Sequence, residues 1–547
     1  MASQTNFQKS FVLPKVVNSF VTGTETDRFN VYDVKFYPYS VPSNTEPVFA
    51  VVSQKKVYIA RLSAQTDCVI TMLHELEDEQ EVRDGDSSGL NSCSWCYIHQ
   101  DQPLLALAGG SGQLKVIDAA SGEHFTTLIG HGHGGINDIA THPIFPWIVA
   151  TASVDKSVRI WDLRRHSFRH ESHTIIICGQ ATGHSEGLLT LSWHSTGRYL
   201  ITGGHDHLVC VWTIPDLAEE SSFWRGIEPE SRKRSSDEVH VIHFPHFTSS
   251  AVHHDFVDRV KFFGDLVISK AAKEGKIVLW KITGFDTQKP PPSPVTAPKA
   301  EEHLDTRNGF MRTGRIGKNG VEIIKISPEF EDQPPFERML EFEAPNSDPF
   351  YMRFGLLLPS SDYPELHPVL AFGDTASEIR FWDLERLALG YSVGLDSKKS
   401  SPVKKRKGVA SRANRASVVS QNIVDEQDSA LRLRESTESS VSNTSSGLSA
   451  ARQASTGATS EISDDPVPHG PDLLIPSPDR ASLPIDDPHQ LVKHHNTASL
   501  ADLRYKRQRA FMTRTIDWSP CGRWCIAVGE SKLSEEEGCG GVAVLRR

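Results

Sequence analysis

Five stretches of this sequence end alike. "GQLKVIDAA" (112–120), "KSVRIWDLRR" (156–165), "HLVCVWTIPD" (207–216), "GKIVLWKITG" (275–284) and "EIRFWDLER" (378–386) each close a short β-branched run on a large apolar residue. Upstream of them lie apolar runs that end in a turn: "PLLALAGG", "WIVATASVD", "YLITGGHD", "DLVISKAA" and "PVLAFGD". Gly-His pairs, Gly130-His131 and Gly183-His184, precede two of the units. A unit so short cannot bury both faces of its own sheet, so such units must stack on one another.

Strand, turn, strand at this period is the grammar of WD repeats, in which one repeat supplies the four strands of a propeller blade. Two weaker copies flank the five. "FNVYDVKFYPY" leads to "PVFAVVSQKKVYIARL" at the start, and "MTRTIDWSPCGRWCIAVGE" leads to "GGVAVLRR" at the end. The sum is seven units, which at about 45 residues each need about 315 residues. The expected fold is all-β, a seven-bladed WD40 β-propeller with long disordered insertions. The last unit runs to Arg547, and a strand near "KVVNSFVTG" in the N-terminal segment is expected to complete it and close the ring.

The remaining residues are set apart by composition. Residues 1–14 read as a flexible N-terminus, 15–393 as blades one to six, and 488–547 as the end of blade six and blade seven. Within the first block, 73–89 ("LHELEDEQEVRDGDSSG") reads as an acidic loop and 286–340, opening on the Pro-rich "TQKPPPSPVTAPKAEE", as a linker insertion. Residues 394–487 are Ser-rich, nearly free of aromatics and too polar to fold alone. That segment opens with "SKKSSPVKKRKG", whose Lys404-Lys405-Arg406-Lys407 cluster has the pattern of a nuclear import signal or of a solvated charge run. Arg232-Lys233-Arg234 is a second such cluster and favours import.

The net charge of −11 argues against a general nucleic-acid binder and suits a basic partner such as a histone tail. Eight thinly spread cysteines make no disulfide framework. Cys93 and Cys96 form a CxxC with no second pair at zinc spacing, so they read as small residues packed in a strand. With no apolar h-region at the N-terminus and no membrane-length apolar run, a soluble intracellular protein is expected.

No motif argues for an enzyme. "GHSEG" (183–187) matches GxSxG, but it precedes a strand, whereas the nucleophile elbow needs a strand before the serine and a helix after it. "HGHGG" and "RHESH" lack a carboxylate at a fixed strand spacing, so no metal is expected, and no phosphate-binding Gly loop with a Lys implies a cofactor. His131, Ser153, Asp155 and Trp161 fit the hydrogen-bonded set that ties WD blades together, a structural role.

Recognition by the propeller's rim remains. The units align on the bulky residue of each innermost strand: Phe36, Trp95, Thr141, Trp193, Phe262, Phe354 and Trp518. Four residues earlier stand Tyr32, Asn91, Asn137, Leu189, Asp258, Phe350 and Arg514. Because strand side chains alternate with period two, this position shares a side with the anchor and lies nearer the rim. Blades six, seven, one and two are neighbours in a closed ring, so Phe350, Arg514, Tyr32 and Asn91 form one arc, with Tyr351 beside Phe350. Aromatic faces converging at a mouth suit a methylated ammonium, which keeps its charge and loses its hydrogen-bond donors, at about 2 kcal/mol or more when desolvated.

The stretches 239–281, "DPFYMRFG" (348–355), "LLALAGGSGQLKVI" (104–117), "LIGHGHGGINDIATHP" (128–143) and "SVDKSVRIWDLRR" (153–165) resemble the extra sex combs / embryonic ectoderm development family. The resemblance covers about residues 15–393 and 488–547. It implies a non-catalytic subunit of the Polycomb repressive histone H3 methyltransferase, acting in the nucleus. The implied partners are the SET-domain catalytic subunit, a zinc-finger Polycomb subunit and the H3 tail, with no sequence-specific DNA binding and no membrane. It further implies that one face holds the catalytic subunit while the other reads trimethyl-lysine on H3 and relays that binding. The family's cage maps onto Tyr32, Phe350 and Tyr351, and Arg514 matches a family arginine on the same arc. Where the family usually has a tyrosine this chain has Asn91, which supplies no ring. Two other roles fit the same fold. "WDLRR" (161–165) carries the WDxR pattern of substrate receptors of cullin-type ubiquitin ligases, and a purely structural nuclear propeller would need neither partner.

Overall fold

The β-branched runs pair as antiparallel strands, and their repetition builds seven sheets that share one hub. A computed structural model of the chain describes residues 14–22, 30–39, 46–63, 69–78, 89–165, 173–179, 183–221, 223, 239–299, 305–316, 322–388, 491–492, 496–499, 511–532 and 538–547. From the hub outward, blade one is Val31–Phe36, Val48–Ser53, Lys56–Leu62 and Ile70–Glu77. Blade two begins at Leu90–Tyr97, blade three at Ile136–Thr141, blade four at Leu188–Trp193, blade five at Val257–Phe263, blade six at Gly355–Leu357 and blade seven at Phe511–Trp518. Blade seven takes its outermost strand, Lys15–Val21, from the other end of the chain, in the register Lys15↔Arg546 to Val21↔Gly541. The expected ring closure is therefore present.

Seven apolar clusters hold the ring, each straddling one pair of neighbouring blades. Val34 and Phe36 of blade one, for example, pack with Trp524, Ile526 and Val542 of blade seven. Carboxylates on the inner strands add directional ties. Asp33 accepts from Cys93 N at 3.1 Å, Asp138 from Leu191 N at 3.1 Å, Asp258 from Met352 N at 3.4 Å and Asp517 from Phe36 N at 2.7 Å. Each of these bonds crosses from one blade to the next.

Three expectations change. Residues 73–77 are no loop: they are the second half of Ile70–Glu77, where Glu75 pairs with Lys56 at 2.8 Å. An outermost strand has one edge in water, so acidic side chains are tolerated there. The 286–340 linker holds a fifth strand for blade four (Thr306–Asn308), a hairpin (Arg312–Ile316 with Glu322–Ile326) and the start of blade five's fourth strand, Phe336–Glu343. Phe336 packs against Trp280, which draws that strand into the sheet. Residues 1–13, 224–238 and 394–487, with both basic clusters, lie outside the described residues.

The third change concerns Ser153. His131 does bond Asp155 (2.8 Å), but its other nitrogen meets Thr151 Oγ1 (2.7 Å), and the Trp161 indole N–H donates to that same hydroxyl at 2.9 Å. Ser153 sits at the strand end, where its Oγ donates to Gly134 O and accepts from Asp155 N. The set repeats as His184, Asp206, Thr202 and Trp212 in blade four, and as His253, Glu274, Ser269 and Trp280 in blade five.

Candidate functional site: an aromatic mouth over a charged channel

Six of the seven innermost strands carry a register shift near the rim. The shifts fall between Val31/Asp33, Leu90/Ser92, Ile136/Asp138, Leu188/Thr190, Val257/Arg259 and Thr513/Thr515. The residue stepped over is Tyr32, Asn91, Asn137, Leu189, Asp258 or Arg514. These are the positions chosen four residues before each anchor, but the stated reason fails. A β-bulge breaks the period-two alternation and re-aims the extra side chain. In blade six regular pairing starts only at Gly355, and Tyr351 before it has φ 66°, a left-handed conformation that a bulky residue rarely adopts.

Tyr351 lies across the channel mouth. Its hydroxyl reaches two carbonyls on other blades, Asn137 O at 2.7 Å and Asn91 O at 3.0 Å, while its backbone N–H donates to Asp258 at 2.9 Å. Burial pushes this phenol's pKa up, so the hydroxyl stays a donor. Tyr32 meets Tyr351 nearly at right angles (centroids 6.1 Å, 84°), and Phe350 does so from another side (6.0 Å, 73°). Three rings from blades one and six thus gather as walls of one corner. Phe350, 47% exposed, faces solvent and lies 6.3 Å from His205, which in turn packs on Phe256 at 4.8 Å. Arg514 fixes the loop from blade seven, donating to Phe350 O (2.9 Å) and to Glu530 (2.7 Å). Asn91 contributes its carbonyl to Tyr351, and its side-chain Oδ1 is buried without a hydrogen-bond partner.

One side of the corner was not foreseen. The Arg353 guanidinium, 1% exposed, lies over the Tyr351 ring at 4.1 Å. It is held by Asp138 (3.0 Å), Asn137 O (3.0 Å) and Leu189 O (2.9 Å). Asp138 also binds Ser92, Thr190 and Leu191 N, so one carboxylate joins blades two, three, four and six. Burial alone would raise its pKa, but Arg353 first and then Arg259 outweigh burial and lower it to about 2. Tyr351 therefore offers an incoming cation at most the face that Arg353 leaves. The sequence signal was Arg353 itself, a lone charge amid "FYMRFG".

Among the described residues no cluster of His, Cys, Asp or Glu could hold a metal, and no helix is long and apolar enough to cross a membrane. Cys93 and Cys96 are buried free thiols. Arg164, the arginine of the WDxR pattern, is engaged by Asp162 (3.2 Å), Glu219 (2.6 Å) and the Trp147 ring (4.3 Å).

Comparison with known proteins follows the same lines. The family model described as WD domain, G-beta repeat, matches residues 122–162 and 177–213. The Polycomb protein EED of Chaetomium thermophilum is 37% identical over 365 residues, 66% of this chain and 57% of that protein. The Polycomb protein esc of Drosophila melanogaster is 28% identical over 293 residues, 52% of this chain and 65% of that protein.

The chain belongs to the extra sex combs / embryonic ectoderm development family.

It spans between half and two thirds of the length of these curated relatives. A chain in a crystal structure of the Chaetomium thermophilum polycomb repressive complex 2 superposes with a TM-score of 0.65 at 27% identity, covering 98% of both chains. A structure of that complex with H3K27me3 and H3K27M matches equally well, with a TM-score of 0.65 at 26% identity and 98% of both chains.

Proposed function

We propose that this chain is the non-catalytic scaffold and reader of a Polycomb-type histone H3 lysine methyltransferase complex in the nucleus. The observation that carries the reading is the meeting of Tyr32, Phe350 and Tyr351 at one mouth of a closed ring. Tyr351's left-handed backbone is held there by Asp258 and by two carbonyls, and strain maintained by its surroundings commonly marks a functional residue. A trimethyl-lysine enters this corner and gains ring contacts worth about 2 kcal/mol when desolvated, an energy an unmodified, strongly hydrated ammonium does not recover. Arg514 holds the Phe350 backbone in place, and Asn91, lacking a ring, leaves one wall open to the peptide. The acidic net charge of −11 favours encounter with a basic tail.

The SET-domain catalytic subunit and a zinc-finger Polycomb subunit are the partners, bound away from the aromatic mouth. Peptide binding stimulates methylation to the extent that the peptide prefers the active state of the complex. Titration calorimetry of the purified chain with trimethylated and unmodified H3 peptides tests the reader, and equal affinity for both overturns it. Co-purification with the SET-domain subunit tests the scaffold separately.

A further inference from the structure

Below the mouth the channel wall is ionic. Asp33 and Lys35 of blade one pair with each other, and Arg353 of blade six reaches Asp138 of blade three across the hub. Asp517 of blade seven accepts the amide of Phe36. Blade five contributes Arg259 and Lys261, two residues apart on one strand and so on one side of it. The network thus holds five cations (Lys35, Arg259, Lys261, Lys270, Arg353) against four carboxylates (Asp33, Asp138, Asp258, Asp517).

The imbalance falls on blade five. Arg259 is 5% exposed, yet its guanidinium makes no hydrogen bond among the described residues. Its one ion pair among the described residues, 3.7 Å to Asp138, is with a carboxylate already bonded to Arg353 at 3.0 Å. Lys261 is half-buried and has neither a hydrogen bond nor an ion pair among the described residues. Burial foremost, and then Arg259, lowers its pKa to about 7. A buried guanidinium without acceptors is costly. A planar fork of N–H donors beside an ammonium two residues away matches several oxygens of a tetrahedral oxyanion, which accepts bidentately from arginine and once more from lysine.

We propose that Arg259 and Lys261 form an anion site in the central channel that takes a small phosphate-class oxyanion. Tyr351 and Arg353 close the channel at the aromatic end, so the anion arrives from the opposite end and is bounded above by the floor of the mouth. It neutralises the excess charge and supplies the acceptors that Arg259 lacks. The site is independent of the methyl-lysine reading.

The test uses the full chain and inorganic phosphate. At matched ionic strength, replacing chloride by phosphate raises the melting temperature of the natural protein by several degrees, as expected for a ligand of the folded state alone. The increase disappears in Lys261→Met and is retained in Lys261→Arg. An equal increase in Lys261→Met, or none in the natural protein, overturns the proposal. Should Lys261→Met not fold, crystals of the natural protein soaked in selenate decide. Anomalous density within hydrogen-bonding distance of both Arg259 and Lys261 supports the site, and its absence at saturating selenate overturns it.

Discussion

Blades three, four and five are braced by a histidine, an acid, a hydroxyl and a tryptophan, each set joining strands within its own blade. Blades six, seven and one carry the aromatic mouth, and the contacts that position its rings run between blades. Arg514 of blade seven holds Phe350 of blade six, and Tyr351 of blade six reaches carbonyls of blades two and three. The first region stabilises itself locally. The second is tied across the hub because its strained tyrosine has no regular strand beneath it. Stability and recognition are thereby separated around one ring, and substitutions in the two arcs should fail in different ways.

The largest expected effect is in the first arc. Trp161→Ala removes a fully buried indole and should cost about 3–5 kcal/mol by urea unfolding, with methyl-peptide affinity per folded molecule unchanged. Loss of peptide selectivity in that variant would break the separation. Asp138→Asn strands the buried Arg353 charge and should also cost about 3–5 kcal/mol. Because Arg353 lies on Tyr351, this variant should weaken peptide binding as well, which distinguishes a hub residue from a blade brace.

Tyr32→Ala should lower selectivity for the trimethylated over the unmodified H3 peptide by about 2 kcal/mol, about 30-fold by calorimetry, while barely moving the melting temperature. A pH series sharpens the role of Asp138. Its carboxyl titrates at about 2 when folded, below its ordinary 3.8, so its contribution is complete above that value and is lost as pH falls through 2. That loss amounts to a term on the order of 2 kcal/mol, which should be missing from Asp138→Asn in acid unfolding. The smallest effect is a gain. Asn91→Tyr offers a further ring wall and should tighten trimethyl-peptide binding by about 0.5–1 kcal/mol.

Much of this was legible in the residues. The strand-closing repeats counted seven blades, and the segment near Val16 was assigned to the last one because an incomplete blade leaves an unpaired edge. Tyr32 and Phe350 were found by register and Tyr351 as the neighbour of Phe350, and the three rings do meet. The register rule worked for another reason than the one given for it. In six blades the stepped-over residue repeats because a bulge repeats at the same place in the inner strand, and no side-chain pattern announces a bulge. Ser153 was named where Thr151 holds the place: both are small hydroxyl residues on one face of one strand, and only the position of the indole separates them. The strands at Ile70–Glu77 and Phe336–Glu343 were missed because acidic residues spaced through an outer strand mask its apolar pattern.

Local order came from the sequence itself: β-branched runs, turn residues and their period determine strands and a stacked, closed ring, since those preferences act over a few residues. What lies inside the ring did not. Tyr351 held by the carbonyls of Asn91 and Asn137, Arg353 paired with Asp138, and Arg259 left to share that carboxylate all depend on residues far apart in the chain facing one another across a hub. Only the closed tertiary structure brings them within reach, and only its low dielectric makes their charges matter.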